Sequence, residues 1–499
     1  MGNFSYLIIT AKHHDGFAMY DSEVSDFNIM KATLFGRDPM KELKAACIKY
    51  DIKFGFYYSH ANDWVEENGT GNDWDFENPV GPRKLFGGKR WYDKHPEMVP
   101  RIRKYVDEKA IPQVQELINK YDPDIMWLDT PHHLPPEENL RILKAIHEAK
   151  PTIVANSRAV QNYEGVSHHF GDYQSTGDRA VDFPPRNGDW EAIPTTNESY
   201  AYHKADFSHK TPDFLIKVLV KAAARGGNVL LNIGPKGDGE IDQADIEILK
   251  GIGKWMDVND ASIRGTVRTT LPVQPWGEST RKKNTFYLHV FDWPTSGVIE
   301  VGGFLGKVNQ VWLLSDKEQS ALSHKRIDNR TIQIEVPLEA PYLPNSVVVM
   351  DVDNVENTDA NRLLSTTTTD NLLRAFDGIA VGGNFKYGNG KADRNGVSEW
   401  KNEGQAMTWP VYLTESGKFN VIVEYKPFEN SNKFIVESGK EMLSDTTKLL
   451  KTGFIMHEIG IMNLPAGNQV IKIHSDGIPK GDLMTLRALH FMPLTQREK

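Results

Sequence analysis

Cysteine is almost absent from this chain of 499 residues, where Cys47 stands alone. One thiol excludes an intramolecular disulfide and any cysteine-rich metal site, and leaves the compartment open. No stretch approaches the about 18 consecutive apolar residues of a membrane-spanning helix, so no membrane partner is expected. A cationic surplus is missing too. Lys plus Arg number 58 against 67 Asp plus Glu, a formal net charge of −9. The basic residues form no stripe, and nucleic acid held by phosphate neutralisation is not an expected partner. With 40 Gly and 27 Pro, the chain is neither collagen-like nor low-complexity. Gly234-Pro235-Lys236-Gly237-Asp238-Gly239 lacks the spacing of a phosphate-binding loop and reads as a turn between strand and helix. The start also lacks a leader: Met1 to Ser5 has neither a basic start nor an apolar stretch, and a strand already begins at Tyr6. An upstream segment of the same protein is the expectation.

What is present in the first half is alternation of strand and helix. Short apolar runs at 6–10, 53–58, 125–128, 153–156, 169–173 and 228–233 read as strands. Met40, Leu43, Cys47 and Tyr50 recur at helical spacing, with Asp38 as N-cap and Pro39 in the first turn. Further helices are expected around Val114–Tyr121 and over 137–149, 212–225 and 241–258. Successive strand–helix units argue for a parallel sheet covered by helices. Polar residues gather just after several strand ends: His13, His14, Tyr58, Asp129, Arg158 and Asp172. An open doubly wound sheet would collect them at one switch point. Contributions from nearly every strand fit a (β/α)8-like, TIM-type barrel better. About six strands are visible, so the first strand–helix unit is expected to be missing from residues 1–262.

Beyond Ile263 the pattern becomes all β. Runs at 285–290, 311–314, 331–336 and 346–350 suggest a β-sandwich over 263–352. The polar stretch 353–371, with its run of threonines, reads as a linker. A second sandwich is expected over 372–499, in which Trp400, Trp409 and Tyr425 are candidates either for stacking on sugars or for the core.

Three places carry chemistry. Trp127-Leu128-Asp129-Thr130-Pro131 puts a carboxylate at the C-terminal end of a strand, where a barrel gathers its substrate. Lys12-His13-His14-Asp15-Gly16-Phe17 places two imidazoles side by side. Adjacent side chains on a strand diverge, so they suit hydrogen bonding to substrate hydroxyls better than a shared metal. The long loop from Gly171 through Asp189-Trp190-Glu191 to Tyr202 is rich in acids and aromatics. Two carboxyl groups flanking a sugar bond suffice for glycoside hydrolysis.

Together with Gly55-Phe56-Tyr57-Tyr58-Ser59, Asn156-Ser157-Arg158, Gly171-Asp172-Tyr173 and Asn228-Val229-Leu230-Leu231-Asn232-Ile233-Gly234-Pro235, these motifs resemble the α-L-fucosidases of glycoside hydrolase family 29. The resemblance runs from about Tyr6 to Thr266. It implies a (β/α)8-like catalytic domain followed by a β-sandwich, and hydrolysis with retention through a covalent glycosyl-enzyme. Asp129 matches the nucleophile of the family's Trp-Phe-Asp-Gly motif, from which Leu128 and Thr130 depart. His13, His14, Tyr58, Trp127 and Arg158 match sugar-binding positions. The family's glutamate after Gly-Asp-Tyr is replaced here by Gln174, which makes Glu191 the expected acid/base and Glu198 its reserve. The last region resembles a carbohydrate-binding module. No cofactor and no metal are expected, and the resemblance implies a periplasmic or extracellular location and a fucosylated, or L-galactose-containing, glycan as substrate. An α-L-galactosidase of the same mechanism, or a non-catalytic glycan binder with an incomplete barrel, are the alternatives.

Overall fold

The structure, a computed structural model, describes residues 2–81, 90–160, 170–184, 186–368, 370–449 and 453–494. The chain divides into two compact units, Phe4–Ser175 and Thr176–Lys499, the second also holding Met1–Asn3.

In the first unit, strands β1 (Tyr6–Lys12), β2 (Lys53–Tyr58), β3 (Ile125–Leu128) and β4 (Val154–Ala155) lie side by side in that order, all parallel. Parallel neighbours need a crossover, and helices supply each one. Helix α1 (Pro39–Lys49) joins β1 to β2, α2 (Val99–Tyr105) and α3 (Ile111–Tyr121) precede β3, and α4 (Pro136–Ala149) precedes β4. Asp38 caps α1 as its sequence predicts, accepting from the Met40 and Lys41 amides at 3.0 and 3.4 Å. The Tyr121 hydroxyl donates to the same carboxylate at 2.7 Å, tying α3 to the start of α1.

Strand alternation sorts the side chains of β2 into two sets. Phe54, Phe56 and Tyr58 are buried in one cluster with Val114, Leu117 and Ile118 of α3 and Ile142 and Ile146 of α4. Gly55 and Tyr57 take the opposite face. Their neighbours across the sheet are Ile125 and Trp127 of β3.

The expected strand 169–173 begins at His169, outside the described residues. The remainder of it forms only an isolated bridge between Tyr173 and Asn156, and β5 (Gln174–Ser175) follows. Gly171 explains the interruption: a Cβ there would lie 2.3 Å from the Asn156 carbonyl oxygen, so the chain crosses the Asn156 backbone at close range.

The second unit opens with β6 (Trp190–Ala192) parallel to β7 (Gly227–Val229), with α5 (Pro212–Ala224) between them and α6 (Gln243–Asn259) after. Strand β7 is shorter than the expected 228–233. Asn232 makes one further bridge, to Thr195. A five-stranded and a three-stranded antiparallel sheet follow, covering strands between Val267 and Val352. Two six-stranded sheets hold strands from Arg362 to Pro493.

The stretch 353–371 departs from the linker reading. Arg362–Leu363 is a strand paired in parallel with Val411 and Tyr412, and Leu363 and Leu364 are buried. Its polar residues find partners within the protein, Ser365 Oγ donating to Glu300 at 2.7 Å and Thr366 Oγ1 to Glu415 at 2.6 Å. The Ser365 amide donates to Asn371 Oδ1 at 2.7 Å, and Asn371 Nδ2 donates to the Ser365 and Phe491 carbonyls. Trp400, Trp409 and Tyr425 are all buried in the core of these last sheets, so none is available for stacking on a sugar.

Buried charges tie the second unit together. Arg225, which caps α5, lies 3.1 Å from Glu278 and 3.2 Å from Asp377. Arg374 reaches Glu278 at 2.9 Å, Asp377 at 2.7 Å and Asp182 at 3.5 Å. Burial opposes ionisation of these carboxyls, but the two guanidinium charges outweigh it and hold Glu278 and Asp377 below the usual carboxylate range. Breaking a buried pair from one side strands the other charge. Arg374→Ala is therefore expected to lower unfolding free energy by about 3–5 kcal/mol in urea titrations. A change below about 1 kcal/mol would show that the network contributes little.

Candidate active site

Asp129 follows β3 directly and is gripped from three sides. Arg158 Nη1 lies 2.9 Å from Oδ1, the Tyr57 hydroxyl donates to Oδ2 at 2.9 Å, and the Thr130 amide donates to Oδ1 at 2.9 Å. Thr130 adopts φ +56, a left-handed conformation that a β-branched residue rarely takes. That backbone turn is what aims its N–H back at the carboxylate.

Asp129 is largely shielded, and its burial alone would favour the neutral acid. The Arg158 charge, its hydrogen bond and the Tyr57 hydroxyl overcome this and hold the carboxyl below its ordinary value. An ionised carboxylate held in one orientation is what a nucleophile requires.

Rings surround it. The Tyr57 ring stacks on His13 (centroids 5.1 Å, 10° between planes) and on Trp127 (5.4 Å, 24°). Arg158 lies over the Trp127 ring at 4.9 Å. The His14 ring is 4.2 Å from that of His13, and His14 Nδ1 is 2.6 Å from Ser59 Oγ. Five of the expected residues, Asp129, His13, His14, Trp127 and Arg158, are thus brought together.

Tyr58 is the exception, and a correction. Its ring is fully buried on the helix-facing side of β2, where its hydroxyl donates to Gln113 Oε1 at 2.8 Å. Tyr57 occupies the place assigned to it. The signal was available in the sequence: Phe54 and Phe56 mark the core face, and period-two alternation puts Tyr58 with them. Asp172 also lies elsewhere in role, accepting from the Ala155 amide at 2.7 Å to close the end of β4.

The second layer around the site comes from the motifs. Asn156 receives the Leu128 amide at 2.9 Å and donates to the Leu128 carbonyl at 3.0 Å, fixing the end of β3 next to Asp129. His60 Nε2 sits 2.9 Å from Asn139 Oδ1. Asn139 did not stand out in the sequence, and Ser59 did so only as the last residue of the Gly55–Ser59 motif.

Glu191 and Glu198 belong to the second unit. Glu191 lies at the middle of β6, almost wholly buried, opposite Asn228 of β7. Its neighbour Trp190 turns into the core against Phe183, so alternation sends Glu191 to the other face. Glu198 is different: Arg179 lies 3.1 Å from one oxygen and Lys210 2.9 Å from the other. Both oxygens of Glu198 are thus engaged in ion pairs, whereas Glu191 is buried within a strand.

The α-L-fucosidase family model matches residues 4–261, and the chain belongs to that family. The tissue alpha-L-fucosidase of Rattus norvegicus is 28% identical over 314 residues, 59% of this chain and 61% of that protein. The plasma alpha-L-fucosidase of Homo sapiens is 28% identical over 353 residues, 66% and 68% of the two chains. This chain thus spans less than two thirds of the length of the rat relative. Among solved structures, an alpha-L-fucosidase from Vibrio sp. strain EJY3 superposes with a TM-score of 0.78 at 25% identity, covering 99% of this chain and 85% of that one. Alpha-L-fucosidase isoenzyme 1 from Paenibacillus thiaminolyticus gives 0.60 at 27%, covering 71% and 84%.

Burial pushes the imidazole of His14 down to about 4, helped by the charge of His13, and that of His60 to about 4 as well. Both rings are therefore neutral at pH 5–8 and able to accept as well as donate. Between the ordinary histidine value of about 6.5 and about 4, the unfolded chain binds protons that the folded site refuses. Stability is expected to fall as pH drops through that window. Histidine NMR titration should show neither ring changing charge between pH 5 and 8; a midpoint near 6.5 for His14 would refute the buried, neutral site.

Proposed function

We propose that the chain is a retaining, exo-acting α-L-fucosidase in which Asp129 is the nucleophile and Glu191 the acid/base. The observation that carries this is the grip on Asp129, a shielded carboxylate kept ionised by Arg158 and Tyr57 among His13, His14 and Trp127. Membership of the α-L-fucosidase family supports fucose as the sugar. The catalytic region is read as a (β/α)8-like barrel lacking its first strand–helix unit. This is the arrangement in which strand ends supply such groups. Residues 1–262 are read as the catalytic region, with sandwiches over 263–352 and 372–499.

In the first step an Asp129 oxygen forms a bond to the anomeric carbon. The bond from that carbon to the aglycone oxygen breaks, and Glu191 gives that oxygen its proton. In the second step Glu191, now a carboxylate, takes a proton from water, whose oxygen displaces Asp129 and releases fucose. Asp129 carries negative charge before the first step and after the second. Arg158 and Tyr57 stabilise it in both, and their donors need not reorganise between steps. Neutral His13 and His14 hold sugar hydroxyls without adding a competing positive charge, and Trp127 offers an apolar ring to the face of the sugar.

Two experiments test this reading. Hydrolysis of 4-nitrophenyl α-L-fucoside is expected, with the α anomer of fucose formed first, and weak or no turnover of the α-L-galactoside. Asp129→Asn should lower kcat by about a thousandfold or more. Turnover of the galactoside alone would change the substrate, and turnover of neither by folded protein would favour a glycan binder. The tyrosines separate site from core. Tyr57→Phe removes a hydrogen bond to a charged group, about 1.5–3 kcal/mol, and is expected to lower kcat/KM about tenfold to a hundredfold. Tyr58→Phe is expected to lower thermal stability and leave kcat/KM within about threefold of wild type. The reverse pattern would return the pocket position to Tyr58.

A further inference from the structure

A cavity of about 310 Å³ opens within the second unit, within the range of small-ligand sites. One wall comes from the segment that runs beside β6. Thr176 donates its amide to the Glu191 carbonyl at 2.9 Å, and the Arg179 amide donates to the Ile193 carbonyl at 3.2 Å. The wall is thus set in register with the strand that carries Glu191. The other wall is the loop 388–396. The Val181 and Asp182 amides both donate to the Gly390 carbonyl, at 2.8 and 3.2 Å, and Arg487 donates to the Ala392 carbonyl.

The lining is unbalanced in charge. Arg179, Lys210, Lys391 and Arg394 face Glu198 and Asp393, a surplus of two positive charges in a chain whose net charge is −9. Glu198 is shared between Arg179 and Lys210. The Arg179 Nε is buried and has no hydrogen-bond acceptor among the described residues. A buried N–H of this kind normally meets an acceptor. Among the described residues Arg394 pairs only with its sequence neighbour Asp393, at 3.4 Å, and both are more than half exposed, so that pair is weak. Lys391 has no carboxylate within 4 Å among the described residues. Guanidinium forks and an ammonium around an unfilled acceptor position suit an oxyanion.

We propose that this cavity is a subsite for an anionic group, a sulfate ester or a carboxylate, carried by the sugar on the leaving side of the bond that Glu191 protonates. The proposal rests on the α-L-fucosidase reading for that placement, because Glu191 is the group nearest the leaving oxygen in the mechanism. Anion binding itself does not depend on it. The enzyme would then favour fucose attached to acidic glycans over the same linkage on neutral ones.

Binding is tested on the full chain with dextran sulfate, carboxymethyl dextran and neutral dextran, by calorimetry at low salt. Wild type should bind at least one charged polymer and not the neutral one, with affinity falling as salt rises. The double variant Lys391→Glu/Arg394→Glu should lose at least tenfold in affinity, while Lys317→Glu/Lys325→Glu, the same charge change elsewhere, should lose less than threefold. Which charged polymer binds better distinguishes sulfate from carboxylate. Equal losses in the two double variants, or no binding of either charged polymer, would overturn the subsite. The placement is tested by KM for a fucosyl disaccharide with and without sulfate on its second sugar. A lower KM for the sulfated form, abolished in Lys391→Glu/Arg394→Glu, is expected. Equal KM values with intact polymer binding would overturn the leaving-side placement, and absence of turnover on 4-nitrophenyl α-L-fucoside would overturn the enzyme reading instead.

Discussion

The ammonium of Lys12 is fully buried, and much of the first unit is arranged around that fact. An unpaired charge there would be prohibitive. Asp63, itself buried, lies 3.0 Å from Lys12 and 3.0 Å from Lys109, the Tyr105 hydroxyl is 3.1 Å from the Lys12 nitrogen, and the Tyr58 ring lies beneath it. Lys109 reaches in from a π-helical turn, Val106–Ala110, inserted between α2 and α3. Burial lowers Lys12 below the ordinary lysine range even with Asp63 beside it, while the two ammonium groups keep Asp63 ionised against its own burial. This cluster fixes the last residue of β1, and therefore the place where His13 and His14 leave the sheet. Gly16 belongs to the same constraint. At φ +84 a Cβ would sit 2.3 Å from an Asp63 oxygen, so the turn of the His-His-Asp-Gly motif closes over the ion pair only with glycine.

The site thus has two electrostatic layers with opposite tasks. The inner one around Lys12 is closed and structural, and its charges balance because Glu66 also lies 3.5 Å from Lys109. The outer one leaves Asp129 charged, held by Arg158, Tyr57 and the Thr130 amide. Thr130 stands where the related motif has glycine, and a threonine at φ +56 costs roughly 1–2 kcal/mol of backbone strain. The conformation persists because β3 is pinned on one side by Asn156 and Pro131 begins a short helix on the other. Strain of this kind clusters at active sites, in keeping with the role proposed for Asp129.

Much of this was legible beforehand. The helix cap at Asp38, the order of strands β1 to β4, and the gathering of His13, His14, Trp127, Asp129 and Arg158 follow from periodicity, capping chemistry and motif order. Tyr57 and Tyr58 show the limit. Two adjacent tyrosines carry the same chemistry, and only their alternation against Phe54 and Phe56 separates site from core. Polarity also misled at 353–371, because Ser365 spends its hydroxyl on the Glu300 carboxylate and Asn371 its amide on backbone within packed sheets. Trp400, Trp409 and Tyr425 have the composition of a sugar platform and the burial of a core.

Composition and local pattern by themselves determined the class of chain, its strand–helix alternation, the change to all-β structure after Ile263 and the residue types that meet at the site. These depend on neighbours within a few positions, where side-chain period and backbone preference act. Tertiary structure alone decided which face each residue presents to which partner. Asp129 and Arg158 are 29 positions apart, Lys12 and Asp63 are 51 apart, and Arg225 and Asp377 are 152 apart. Charges at such separations acquire their meaning only when burial removes water and leaves them to neutralise one another.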